Sequence, residues 1–318
     1  MSRIGLISNP NSRQNRRGFS TIEGSARSAG FAHLVLADMA DLLPSLKDLA
    51  ADSIDVLVIN GGDGTLQAVL TALLEDRPFD RLPLLAVLPR GMTNMSACDV
   101  GLSGRPTEAL ARLADLWRRR SLAPCIASRP VLRLENIPNS PVQRGMFFGA
   151  GGICRAIEYC RTKVHPWRIE ADWAAGLTLI GLLASWMLRG GRSDVIIGET
   201  VHVSLDNGPE TSAELLLALA TTLDRLVMRS RPFWHYKGEP VRYTAIAYPP
   251  VQLLRNARRV LYGGNERNLP ARGYMSRGAH AVRLRFDGRF TLDGQMFDAS
   301  ADEPLVITAP DRVDFVRV

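Results

Sequence analysis

Asn60-Gly61-Gly62-Asp63-Gly64-Thr65 is the stretch whose reading decides the fold. Before it stands Asp55-Val56-Leu57-Val58-Ile59, a β-branched apolar run with the character of a buried parallel strand. After it, residues 66–75 carry the apolar spacing of a helix. Three glycines and one aspartate therefore lie at the carboxyl end of a strand and open a helix. In open α/β sheets ligands bind at that place. Glycine lets the backbone approach a phosphate closely, and the free N–H groups of a helix start favour an anion. Thr65 can cap the helix or donate its hydroxyl to the same phosphate. An ordinary turn is the alternative, since Asp and Gly both tolerate positive φ.

Working outward, the first strand runs from Arg3 to Asn9 and ends in Asn9-Pro10-Asn11-Ser12-Arg13. A helix over 18–30, a strand over 33–37 and a helix over 41–51 lead to the central strand. Beyond the glycine-rich stretch, a strand over 84–88 runs into Pro89-Arg90-Gly91-Met92-Thr93-Asn94-Met95, and a helix follows over 107–120. Strands alternating with helices imply a parallel sheet with right-handed crossovers. Near Ala123-Pro124 the pattern changes. Strands are expected over 128–134, 145–149, 201–205, 214–221, 241–248, 281–286, 289–292, 305–308 and 313–318. The predicted fold class is α/β plus mainly-β. A Rossmann-like parallel α/β domain over residues 1–124 precedes an antiparallel β-sandwich domain over 125–318 with helical insertions. The final strand is a candidate to return to the first domain.

Two helices are expected within the second half. Residues 171–188 include Trp173, Leu177, Leu182 and Trp186 over about the length of a membrane span, diluted by Asp172 and small residues. A core helix or a wall of a lipid-accepting cleft is favoured over a span. Residues 251–262 place Val251, Leu254, Ala257 and Leu261 on one face and Arg255, Arg258 and Arg259 mostly on the other. The choice there lies between a solvated arginine face over a core contact and peripheral contact with an anionic membrane.

The 318 residues suggest about two domains, and 46% hydrophobic residues suffice for full cores. Net charge is +7, carried by 36 arginines and only Lys47, Lys163 and Lys237. Arginine suits phosphates and anionic surfaces. With no RNA-binding module and no DNA-binding motif, nucleic acid is the least favoured partner and none is expected. Cys98, Cys125, Cys154 and Cys160 have neither metal-ligand spacing nor the look of a disulfide framework, so a reducing cytoplasm is the expected home, with the inner membrane as a peripheral site. Arg3 and the polar run 8–17 speak against a signal peptide. Neither a P-loop nor a Gly-x-Gly-x-x-Gly fingerprint occurs.

The hexapeptide at 60–65 resembles the GGDGT signature of the diacylglycerol kinase catalytic-domain family, which includes bacterial lipid kinases, sphingosine kinases and ceramide kinases; NAD kinases and phosphofructokinases carry related loops. Asn9, Pro10 and Ser12 match that family's Asn-Pro-x-Ser-Gly loop, with Arg13 in place of glycine. Leu88, Pro89, Gly91 and Asn94 match its second nucleotide loop, with Met92 and Met95 where threonine and aspartate are usual. Asp293-Gly294-Gln295 stands where the family writes Asp-Gly-Glu. Lys237-Gly238 stands where an Asp-Gly linked to a structural metal is usual. The resemblance implies ATP and Mg²⁺ as cofactors and transfer of the γ-phosphoryl group to a lipid hydroxyl, such as that of diacylglycerol or a sphingoid-type lipid. It assigns Asn9, Ser12, Asn60, Gly61, Gly62, Asp63, Gly64, Thr65, Gly91, Met92, Thr93 and Asn94 to the nucleotide. Asp63, Asp293 and Gln295 become the candidate catalytic residues, and the metal ligands stay unassigned. Gln295 cannot take a proton as a carboxylate does, which keeps a nucleotide-binding, non-catalytic relative in play. An NAD kinase is the other alternative, although Asn265-Glu266 lies in a Gly-rich polar loop. A homodimer is left open.

Overall fold

Alternating apolar strands and amphipathic helices build the first of two compact units, which comprises Met1–Val131, Leu223–Arg229 and Asp311–Val318. The structure is a computed structural model and describes residues 3–91, 93–151, 154, 198–270 and 273–318. In chain order the first unit runs β1 (Arg3–Ser8), α1 (Asn15–Ala29), β2 (Ala32–Val35), α2 (Leu42–Ala51), β3 (Ile54–Gly61), α3 (Asp63–Thr71), β4 (Leu84–Pro89), α4 (Met95–Val100) and α5 (Pro106–Arg118). The strands lie in the order β2-β1-β3-β4, all parallel. Val56, Leu57, Val58 and Ile59 in β3 are fully buried, as expected of a central parallel strand covered on both faces. The core joins Ile4, Leu6, Val56, Val58, Ala86 and Leu88 to Ile22 and Ala26 of α1 and to Leu110 and Leu113 of α5. In this order the connections reverse direction between β1 and β3. The loops after those two strands flank the topological switch point, where open α/β sheets place their ligands.

The second unit comprises Leu132–Thr222 and Ser230–Pro310. Its strands are β5 (Ile126–Glu135), which enters from the first unit, β6 (Gln143–Gly145), β7 (Phe147–Ala150), β8 (Glu199–Leu205), β9 (Thr211–Thr221) and β10 (Val241–Ala247). After helix α6 (Leu253–Tyr262) come β11 (Tyr274–Ala279), β12 (Ala281–Arg285), β13 (Gly288–Leu292), β14 (Gln295–Ala299) and β15 (Leu305–Val316). Pairings among β7 to β14 are antiparallel, with β9 holding β7, β8 and β10. Phe148, Tyr243, Phe286 and Phe290 anchor a core of alternating inward residues. β15 starts in the second unit and ends in the first, where Phe315 pairs with Leu85 of β4 in parallel.

Several expectations need correction. The predicted helix 66–75 begins at Asp63 and gives way to a single π turn, Ala72–Asp76. The strands expected over 305–308 and 313–318 form one strand, Leu305–Val316, rather than two. β11 and β14 were not expected. α6 begins at Leu253, because Gln252 is left-handed at φ 48° and breaks the helical phase. Leu254 is 61% exposed, and Asn256 and Val260 form the buried side instead. The expected helix 171–188, Cys160 and Met92 lie outside the described residues. Among the described residues, no helix is long and apolar enough to cross a membrane.

Candidate functional site

Three loops follow the carboxyl ends of β1, β3 and β4 and tie themselves together within the first unit. Asn9 Nδ2 donates to the Thr65 hydroxyl at 3.0 Å, joining the first loop to the second. Asn15 Nδ2 donates to the carbonyls of Asn9 at 2.7 Å and Asn60 at 3.1 Å. Arg90 closes the set: its Nε donates to Asn15 Oδ1 at 2.8 Å and a terminal nitrogen to the Gln14 carbonyl at 2.9 Å. α1 makes room for this guanidinium by breaking its helical geometry at Gly18, where a Cβ would stand 3.0 Å from an Arg90 nitrogen. Sequence reasoning passed over Asn15 and Arg90. Arg90 lies within the quoted loop at 89–95 and Asn15 just beyond the one at 9–13, but only their long-range partners reveal their work.

The glycines act in two ways. At Gly61 a Cβ would strike the Thr65 side chain at 2.6 Å, so glycine lets Thr65 fold back against the turn. Gly62 and Gly91 meet backbone to backbone, a Cβ on Gly62 reaching the Gly91 α-carbon at 2.9 Å. Asn94 is left-handed at φ 49° and holds its own loop, accepting the Gly91 amide on Oδ1 at 2.7 Å. Asn60 is fully buried and donates to the Ser8 hydroxyl at 2.9 Å. Ser12 and Thr93 are half-buried in their loops.

Asp63 opens α3, yet its carboxylate serves another helix. The two oxygens accept the amides of Met95 at 3.0 Å and Ser96 at 2.9 Å, the first residues of α4. A carboxylate on those free N–H groups caps the helix and complements its dipole. Burial pushes the Asp63 pKa up, while the amides of Ser96 and Met95 pull against that rise. At its other end α4 carries Asp99, 2% exposed, which accepts Arg129 Nε at 3.0 Å and the Asp224 amide at 3.0 Å. Arg129 also reaches the Asp224 carboxylate at 2.6 Å. α4 is thus fastened at both ends by acidic side chains.

In the second unit Asp293 and Gly294, at φ 47° and 86°, form the two-residue turn between β13 and β14, with Leu292 opposite Gln295. Both positive φ values fit the Asp-Gly hairpin preference. The Asp293 carboxylate is 4% exposed and accepts the amides of Met146 at 2.8 Å and Phe147 at 3.0 Å. Gln295 is exposed at the start of β14. Lys237 donates its amide to Glu239. Among the described residues no three His, Cys, Asp or Glu side chains gather to hold a metal.

Residues 3–122 match the family model of the diacylglycerol kinase catalytic domain. A Stenotrophomonas maltophilia (strain K279a) protein named Probable lipid kinase YegS-like is 44% identical over 63 residues, 20% of each chain. Bacillus subtilis (strain 168) Diacylglycerol kinase is 29% identical over 119 residues, 36% of this chain and 37% of that one. The matched stretches thus span between a fifth and just over a third of these relatives. Among solved structures, a diacylglycerol kinase from Bacillus anthracis str. Sterne aligns with TM-score 0.62 over 99% of this chain and 96% of its own at 14% identity. That likeness shows the fold: a parallel α/β part followed by antiparallel strands. The resemblance drawn from the loops at 60–65 and 88–94 is borne out by the family match.

Proposed function

We propose that this chain is an ATP-dependent kinase that transfers the γ-phosphoryl group to a hydroxyl of a lipid such as diacylglycerol or a sphingoid-type lipid. The supporting observation is the knot of three loops at the switch point, with α3 starting from its centre. The Gly64 amide, like the first N–H groups of any helix, has no backbone acceptor inside α3 and favours an anion. Uncharged Asn9, Asn60, Thr65 and Asn94 surround the turn, and the Asp63 charge is engaged by α4. The loops therefore fit a nucleotide's phosphates. Mg²⁺ carried with the nucleotide would supply neutralisation of the charge that develops on transfer. Such an ion is often held by one or two carboxylates plus the phosphates themselves, so it is expected to arrive largely on the nucleotide.

In this reading Asp63 is a positioning residue. It sets α4 and the second loop against the first, and Asn94 shapes that loop. Asp293 positions the β13–β14 turn, and Gln295 is free to hydrogen-bond an acceptor but not to take its proton. One observation favours a second reading, nucleotide binding without transfer: Asp63 and Asp293 each have both carboxylate oxygens on backbone amides.

Transfer of radiolabelled phosphate from ATP across diacylglycerol, sphingoid bases, ceramide, undecaprenol and NAD separates the two, with calorimetry of ATP in parallel. A labelled lipid supports the kinase. ATP binding with no labelled product supports the second reading. A chain that does not bind ATP at all removes both.

A further inference from the structure

The exposed side of α6 has a composition that phosphate loops do not explain. Leu254, Arg258 and Tyr262 succeed each other at i, i+4 and i+8 and so share one face. Leu254 is 61% exposed and Tyr262 50%. Arg255 and Arg259 form the adjacent row, and all three arginines are exposed. Among the described residues none of these three guanidinium groups has a hydrogen-bond or ion-pair partner. No acid lies on α6, and residues 240–286 contain nine arginines against one acid, Glu266.

The helix is not free to roll and hide this face. Asn256 and Val260 are buried beneath it, and Val260 packs with Leu216, Trp234, Ile246 and Tyr274. Arg267, 8% exposed, donates to the carbonyls of Arg259, Val260 and Gly263 at the end of α6, and its guanidinium stacks 5.0 Å from the Trp234 ring centre. A cation on the last carbonyls also suits the helix dipole. Leu254 is thereby held in solvent beside three positive charges that have no partner among the described residues.

We propose that this face of α6 docks on the headgroup region of an anionic lipid bilayer. Arginine pairs with lipid phosphates, and the apolar side chains between the arginines gain by entering the acyl boundary. A nucleic acid would satisfy the guanidinium groups but give Leu254 nothing to bury against, so the mixed row favours a bilayer. The docking does not rest on phosphoryl transfer, and its test needs no turnover.

The test is co-sedimentation of the full chain with vesicles of phosphatidylcholine alone or mixed with phosphatidylglycerol, at low and high salt. Wild type should bind the mixed vesicles and release as salt rises. The triple variant Arg255→Gln, Arg258→Gln, Arg259→Gln should bind about a hundredfold more weakly, since each surface arginine is worth about 1 kcal/mol near an anionic leaflet. Leu254→Ser should weaken binding yet keep its salt dependence. All four side chains are exposed, so melting temperatures should not move, and a check of them separates lost docking from lost folding. Equal binding of wild type and triple variant overturns the proposal. So does equal binding to both vesicle types, or capture by heparin or RNA while the vesicles bind nothing.

Discussion

The α-carbons of Gly62 and Gly91 face each other so closely that neither position has room for a methyl group. A Cβ on Gly62 would lie 2.9 Å from the Gly91 α-carbon, and one on Gly91 2.7 Å from that of Gly62. The obstacle is backbone, which does not swing aside. Gly62 is extended at φ −94°, so the demand there is for space and not for a special dihedral. Gly62→Ala and Gly91→Ala should each lower stability by about 1–3 kcal/mol, as overpacking does. The double variant should cost less than the sum, because the first methyl already parts the loops. Thermal unfolding of the four proteins checks this. Strict additivity would mean that the two glycines do not meet.

Asp63→Asn keeps the shape but replaces one acceptor oxygen by an N–H₂ group. One of the amides of Met95 and Ser96 then faces a donor. Stability should fall by about 1–2 kcal/mol, the range for a lost helix cap. Hydrogen exchange at Met95 and Ser96 should speed up ahead of the amides of β3. Unchanged exchange at those two positions would show that Asp63 does not hold α4.

Arg129 lies between two carboxylates, one of them nearly inaccessible. The Asp99 side chain is 1% exposed and that of Arg129 14%. Arg129→Met should leave a buried charge uncompensated and cost about 3–5 kcal/mol. By contrast Arg3→Met, which breaks the exposed pair with Asp52, should cost under about 1 kcal/mol. Chemical denaturation of both variants gives the comparison. Equal losses would sink the idea that Asp99 depends on Arg129.

His33 Nε2 is 2.9 Å from the Ser8 hydroxyl, which also receives Asn60 Nδ2. Burial lowers the His33 pKa from 6.5; Glu23 opposes the shift and Arg27 adds to it. The folded state therefore takes up its proton at lower pH than the unfolded chain. This stability is fully present above pH 6.5 and is lost as pH falls from there through the folded value. His33→Gln should flatten that part of the stability curve. Melting curves of wild type and variant across the window decide it, and parallel slopes would exclude His33 as the source.

The strand–loop–helix at 54–71 could be read from sequence because its signals are local: a β-branched run, glycines at the turn and helical spacing after it. The destination of Asp63 could not, since its partners come 32 and 33 residues later and belong to a six-residue helix too short to show a period. Asp293-Gly294 was read as part of a chemical motif when it also marks a hairpin, and so β14 was missed. For α6 the apolar phase was counted from Val251. Left-handed Gln252 detaches Val251 from that stripe, and the helix buries the side of Asn256 and Val260, which leaves Leu254 on the exposed face.

The path of β15 bears on how the protein is made. Asp311, where the chain enters the first unit for the last time, follows Val131 by 180 positions. Phe315 and Val316 are fully buried there, and Phe315 supplies the parallel neighbour of β4. At about 5–20 residues per second, a ribosome needs about 10–40 s to deliver that strand after Val131 has been joined. Throughout this interval the growing chain carries β4 without its outer partner and with the places of two large side chains empty. A bare strand edge is a template for pairing with other chains. The nascent protein therefore stays open to self-association until its last strand is made, and a fragment of residues 1–131 would keep that exposure permanently.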